Sequence, residues 1–310
     1  MITIGGFNTS VDKTLEADEL RLGAVNRVRD VRAHPGGKGL HVALTVAALG
    51  EPVRLVGLID SSHRSFFEDH LAARGVEFHG VETQGGVRTC LAIRDAGGSR
   101  VTEILEPGPE LDLGSRRELL ARFLALARGA DPVVLSGSAP PGFDDGVYGE
   151  LARTLSEARA RCLVDASGGL LRRAVEARPF LVKPNREEAE ALTGDPIEDP
   201  AAAGRAARAL SARGIALVVI SLGAQGAVGV KDGAAWHAVA PVQPAANTVG
   251  SGDCLLGGVA VGLARGLDFE EILRLGVACG AANTLTAETG YVRLADVEAL
   301  RPRVRVEALG

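Results

Sequence analysis

A rhythm in the sequence constrains the fold more than any other feature. Short apolar runs rich in Val, Leu and Ile recur as MITIGG, PVRLVGLI, DPVVLSG, RCLVDAS, FLVKPN and IALVVISLG. They are apolar at consecutive positions, as strands covered on both faces must be. Between them, LHVALTVAALG, SRRELLARFLALARG, YGELARTLSEARA and AAAGRAARALSARG place apolar residues at helical spacing, and several end at Gly. This alternation predicts an α/β protein with a mainly parallel central sheet, helices on both faces and right-handed crossovers.

Two segments depart from the rhythm. Residues 11–33 and 86–105 alternate in a strand-like way with no helix between, and the second contains an AGG turn suited to a hairpin. They predict a small extra sheet at one edge, a lid over the strand ends where open α/β sheets bind ligands. No repeat or low-complexity linker divides the 310 residues, so one domain spanning 1–310 with this lid is expected.

The composition narrows the partners. A net charge of −5 gives no basic surface for nucleic acid or an anionic membrane. The longest apolar stretches are glycine-broken and too short to span a bilayer, and MITIGGFNTS does not read as a secretory signal. Four cysteines lie far apart without metal-ligand spacing, which fits buried thiols in a reducing cytoplasm. Nearly all basic residues are Arg. Lys38 and Lys183 both sit beside turn-forming residues, where a compact point charge has a use.

Glycine clusters carry the chemistry. In NTVGSGDCLLGG (247–258), Gly250, Ser251 and Gly252 precede an apolar run with a helix expected to begin near Asp253. The unpaired N–H groups of such a helix start suit a phosphate. Asp253 is then either an N-cap or a base aimed at a substrate hydroxyl while the glycine N–H groups face a phosphoryl group. PGGKGLHVALTVAALG (35–50) repeats the pattern: Gly36, Gly37 and Gly39 permit close approach, and Lys38 supplies charge, unless this is a plain strand-to-helix turn. In VKPNREEAE (182–190), Asn185 and Glu188 either face one way to hold a hydrated Mg²⁺ through water, or Glu188 is an ordinary helix surface residue. SLGAQGA (221–227) follows a strand and suits the flank of a nucleotide. Neither GxxxxGK[ST] nor a strand–GxGxxG–helix unit occurs, which weakens a P-loop or dehydrogenase reading.

Taken together, GGKGLHVA, NTVGSGDCLLGG and KPNREE resemble the signatures of the phosphofructokinase B family, sugar kinases of ribokinase-like fold. The likeness runs through almost the whole chain. It implies a three-layer α/β/α fold with a β-sheet lid, ATP and Mg²⁺ as cofactors, a monovalent cation as a further candidate, and a homodimer formed through the lid. It also implies Asp253 as catalytic base with Gly250, Ser251 and Gly252 as the anion hole, and Lys183, Asn185 and Glu188 at the Mg-nucleotide. Ser221, Gly223, Gly226 and Asn283 are implied to line the nucleotide.

Within the family, FNTSVDKT, VTEILEPGPELD, SGSAPPG, RTCLAI and ETGYVRL are most similar to the tagatose-6-phosphate kinase group, with the 1-phosphofructokinases next. The implied reaction is ATP-dependent phosphorylation of a ketohexose monophosphate. Asp12, Gly37, Lys38, His41 and Arg88 would hold the substrate, with the Arg88 fork on its phosphate. A 6-phosphofructokinase is a further alternative within the fold, and a non-catalytic sugar-phosphate sensor is the rival outside enzymes. Thr9 departs from a usual Pro. His41 stands where the signature carries Asn, a residue implied to touch the sugar.

Overall fold

The structure is a computed structural model that describes residues 1–95, 101–241 and 247–310. Along the chain its strands are β1 (Ile2–Gly5), β2 (Ser10–Ala17), β3 (Val28–Gly36), β4 (Val53–Ile59), β5 (Val76–Glu82), β6 (Arg88–Asp95) and β7 (Val101–Leu105). They continue as β8 (Val133–Ser136), β9 (Cys162–Asp165), β10 (Leu181–Val182), β11 (Leu217–Ser221), β12 (Ala227–Lys231), β13 (Ala234–Val239) and β14 (Arg305–Leu309). The helices are α1 (Lys38–Ala48), α2 (Arg64–Ala72), α3 (Leu113–Ala127), α4 (Val147–Glu157) and α5 (Gly168–Glu176), then α6 (Arg186–Thr193), α7 (Pro200–Ser211), α8 (Ser251–Ala264), α9 (Phe269–Asn283) and α10 (Leu294–Leu300).

The central sheet has ten strands in the order β14-β13-β12-β11-β10-β9-β8-β1-β4-β5. From β5 to β11 every neighbouring pair is parallel, and β12, β13 and β14 add an antiparallel edge. The apolar runs of the sequence form the parallel part because they are buried on both faces. In β8, Val133 and Leu135 face one apolar cluster and Val134 faces the other. Helices α1, α2, α8, α9 and α10 bury into the first cluster, and α3 to α7 into the second, which makes the expected three layers.

The order of strands reverses between β1 and β8. At such a switch point the connections leave in opposite directions and open a crevice at the carboxyl ends of the strands. The second sheet hangs over this end, because β2 follows β1 directly and β6 follows β5. Its order is β3-β2-β6-β7, with β2 and β6 parallel and the outer pairs antiparallel. Both irregular sequence segments therefore supply it, with 18–27 as a connection rather than strand, and with β3 running on to Gly36. The β6–β7 hairpin forms, while the AGG of 96–98 lies outside the described residues.

Helix α8 is apolar all round and buried from Asp253 to Leu263. Small residues let its neighbours approach closely: a Cβ on Gly257 would press on Thr45 of α1, and one on Gly258 on Gly276 of α9. This packing fixes the start of α8 beside the start of α1. All four cysteines are buried and free. Among the described residues no helix is long and apolar enough to cross a membrane.

Candidate active site

The two glycine clusters meet at the crevice. Gly37 caps α1 with φ of 105°, and Gly250 caps α8 with φ of 83°, neither using a side chain. Asp253 is therefore not an N-cap. It lies in the first turn of α8, buried, with Oδ2 2.9 Å from Nδ1 of His41 in the first turn of α1. The other ring nitrogen, Nε2, lies 3.2 Å from Oδ2 of Asp12 on β2. Ser10 Oγ donates to the remaining Asp12 oxygen at 2.6 Å. A carboxylate from the second sheet and one from the head of α8 thus share a single imidazole.

Charges follow from this row. Burial opposes ionisation of His41, but its hydrogen bonds to Asp12 and then Asp253 outweigh it and push the imidazole up to about 10. Burial likewise works against the Asp12 carboxylate, yet the bond to His41, its charge and the Ser10 hydroxyl hold that group below the usual carboxylate range. Gly36 makes room for the arrangement, since a Cβ there would overlap the Asp12 carboxylate.

A second cluster stands beside the first. Asp165, at the carboxyl end of β9 and 1% exposed, lies 3.1 Å from Lys183 Nζ and 3.9 Å from Lys38 Nζ. Neither of its oxygens has an aligned hydrogen bond, so charge alone makes these contacts. The Asp165 charge outweighs burial and raises Lys38 above the ordinary lysine range, with Asp253 and Glu188 contributing. Lys183 also approaches α8, where a Cβ on Gly252 would sit 3.5 Å from its ammonium. Sequence reasoning passed over Asp165; its signal was an acid closing the apolar strand RCLVD.

The first-turn N–H groups of Gly252 and Asp253 have no intrahelical acceptor. Ser251 N–H donates to Thr248 O at 3.3 Å, so of the expected anion-hole residues this one has its N–H engaged within the turn. Asn185 and Glu188 do face each other, but as a reciprocal capping box: Asn185 Oδ1 accepts from Glu188 N, and Glu188 Oε2 accepts from Asn185 N, each at 2.8 Å. Among the described residues no three His, Cys, Asp or Glu side chains form a direct metal cage. The oxygen donors present fit a hard cation reached through water and phosphate, the usual habit of Mg²⁺.

Arg88 begins β6 on the Asp12 side, where Nε donates to Asn8 O at 3.2 Å and Nη1 to Glu106 O at 3.1 Å. Ser221 ends β11, bridged to Asn185, and Gly223 follows with open space where a side chain would be. Gly226 serves a different need, because a Cβ there would overlap the backbone of β13. Asn283 departs from its expected place along a nucleotide. It is fully buried and uses its amide inside the protein, donating to Val249 O at 2.9 Å and Ser251 Oγ at 3.0 Å and accepting from Tyr291 N at 3.2 Å. It braces the turn before α8.

Gly290 closes the site behind His41. Its φ is +65°, and a Cβ there would overlap the imidazole. Gly290→Ala should therefore cost about 1–3 kcal/mol and at least tenfold in turnover. Thermal unfolding and a kinase assay on the purified variant would show this; wild-type values in both would mean that the ring has room to move.

A model of the pfkB family carbohydrate kinases matches residues 3–294. The 1-phosphofructokinase of Xanthomonas campestris pv. campestris is 36% identical over 309 residues, covering 98% of this chain and 96% of that protein. The 1-phosphofructokinase of Rhodobacter capsulatus is 37% identical over 275 residues, covering 88% and 86%. Among solved structures, phosphofructokinase-2 from Escherichia coli in complex with substrates and products has a TM-score of 0.91 at 28% identity, covering 97% of this chain and 98% of that one.

Proposed function

Because this chain belongs to the pfkB family of carbohydrate kinases, and so is an ATP-dependent sugar phosphotransferase, we propose that its acceptor is fructose 1-phosphate. The observation that carries this choice is the likeness to two relatives named 1-phosphofructokinase over most of the chain. It favours fructose 1-phosphate over tagatose 6-phosphate, which the sequence motifs alone put first.

In this reading Asp253 accepts the proton of the 6-hydroxyl late in the reaction. The O6–Pγ bond forms as the bond from Pγ to the bridging oxygen breaks, and that oxygen leaves with ADP. The N–H groups of Gly252 and Asp253, with Lys183 and Lys38 nearby, face the charge on the group in transit. Asp12 holds sugar hydroxyls, Gly37 lets the sugar approach, and Arg88 takes the 1-phosphate, while both ring nitrogens of His41 face Asp12 and Asp253 in place of the sugar contact the signature implied. Asn185 and Glu188 are the residues that would hold a hydrated Mg²⁺, and the ion would neutralise phosphate charge. Ser221 and Gly223 flank the nucleotide.

The four-stranded sheet acts as a lid. Val28, Val31, Ile104 and Leu105 on it are 38–59% exposed, which supports pairing with the lid of a second copy. A sensor without catalysis would have no use for a base beside a buried lysine. Coupled ADP-release assays with fructose 1-phosphate, fructose 6-phosphate and tagatose 6-phosphate decide among these readings. Fructose 1-phosphate should lead in kcat/KM by at least about tenfold. A lead by tagatose 6-phosphate would displace the assignment, and no turnover with any of them would favour the sensor.

A further inference from the structure

We infer that His41 is a positioning residue: its ring clamps the carboxylate of Asp12, on the lid sheet, to the carboxylate of Asp253, at the head of α8, so that lid and base are presented to the sugar as one ion-paired row. The inference rests on the assignment of Asp253 as the base and deepens it.

The argument is one of donors. Both ring nitrogens face carboxylate oxygens, at 2.9 and 3.2 Å. A neutral imidazole has a single N–H, so one carboxylate would confront a lone pair in a buried site. Two donors exist only on the imidazolium, and then every contact in the row is attractive. An amide at this position would carry no charge, so no cation would offset the repulsion between the two acids.

The surroundings preserve the row. From the lid, Glu103 on β7 adds a further negative charge, itself pushed up by burial and then by Asp12 and Asp253. Arg88 on β6 draws on Asp12, Cys90 lies near the same carboxylate, and Lys38 extends from the helix of His41 toward Asp165. From the loop behind the ring, Glu288 is engaged by Arg74, and the ring of Tyr291 lies under the same guanidinium. What meets the imidazole there is Gly290.

Two consequences follow. Asp12 belongs to the lid strand, so lifting the lid removes one partner from His41 and changes the charge environment of the base. Conversely, the imidazolium keeps Asp12 ionised at lower pH than a neutral neighbour would.

The test is His41→Asn, read as the pH profile of kcat/KM for fructose 1-phosphate, or for whichever sugar phosphate the substrate panel favours. The acid limb should move upward by about one pH unit or more, because Asp12, which the imidazolium holds below the usual carboxylate range, loses that cation. An unmoved acid limb would overturn the inference. Nitrogen NMR of labelled histidine in the wild-type enzyme provides a reading independent of the variant's folding. The His41 ring should stay doubly protonated at pH 8, well above the usual histidine midpoint near 6.5, and a neutral ring at pH 7.5 would overturn it as well. Asp253→Asn separates the two levels: if that variant retains turnover the base assignment falls, whereas if turnover is lost and His41→Asn leaves the acid limb unmoved, only the role of His41 falls.

Discussion

Asp253→Asn should lower turnover by about 10²–10⁴-fold, the usual contribution of a positioned general base, while the nucleotide dissociation constant changes by no more than a few fold. The amide keeps an oxygen that can accept from His41 Nδ1–H, at present 2.9 Å from Oδ2 of the acid, so the contact between α1 and α8 survives. It cannot take a proton from the sugar. In the proposed reading the nucleotide phosphates would meet Lys183, Lys38 and the first-turn N–H groups, none of which the substitution removes. Steady-state kinetics and calorimetric titration with ATP on the same preparation would measure both quantities. Turnover within about threefold of wild type would remove Asp253 from the chemistry, since acid–base contributions are far larger than that.

The sequence made the parallel sheet legible for a physical reason. A strand covered on both faces has no polar position, so its apolar run stands out against amphipathic helices, as in VVLS of β8 and CLVD of β9. The antiparallel edge escaped the same reading. Strand β14, RVEAL, alternates but has no buried residue, and half of β13 is alanine, so neither stands out as an apolar run as β8 and β9 do. The second sheet was visible because its strands alternate, but its order was not, since β2 pairs with β6 across a long separation in the chain.

Within the site, the glycine turns and Asp253 were readable because both clusters precede long helices. The scarcity of lysine was informative as well: Lys38 and Lys183 converge on one carboxylate. That carboxylate was hidden, because an acid at a strand end looks like any turn residue until partners from distant segments close on it. His41 read as a departure from a signature. Only the fold showed that it stands between two acids. Asn283 misled in the opposite sense, because a polar residue near a glycine turn serves equally well to brace that turn from inside.

Asp165→Asn should be the most destabilising of the substitutions considered. The carboxylate is 1% exposed and Lys183 is 4% exposed, so water reaches neither to compensate. The amide is nearly isosteric and leaves no cavity, which confines the effect to charge. Removing one partner of a buried pair commonly costs about 3–5 kcal/mol, because the other ion stays buried without compensation. Chemical denaturation should show a loss of this size without nucleotide. Lys38 is held by the same carboxylate at 3.9 Å, and its side chain is 44% exposed, so it can turn to solvent and contributes little to the loss. Phosphate groups offer Lys183 another anion. The deficit should therefore narrow when Mg·ATP saturates the protein, beyond the stabilisation that nucleotide gives the wild type. A variant as stable as wild type would mean that the pair is not energetically coupled. An equal deficit with and without nucleotide would mean that Lys183 does not face the phosphates, and the placement of the nucleotide along β10 and β11 would have to be abandoned.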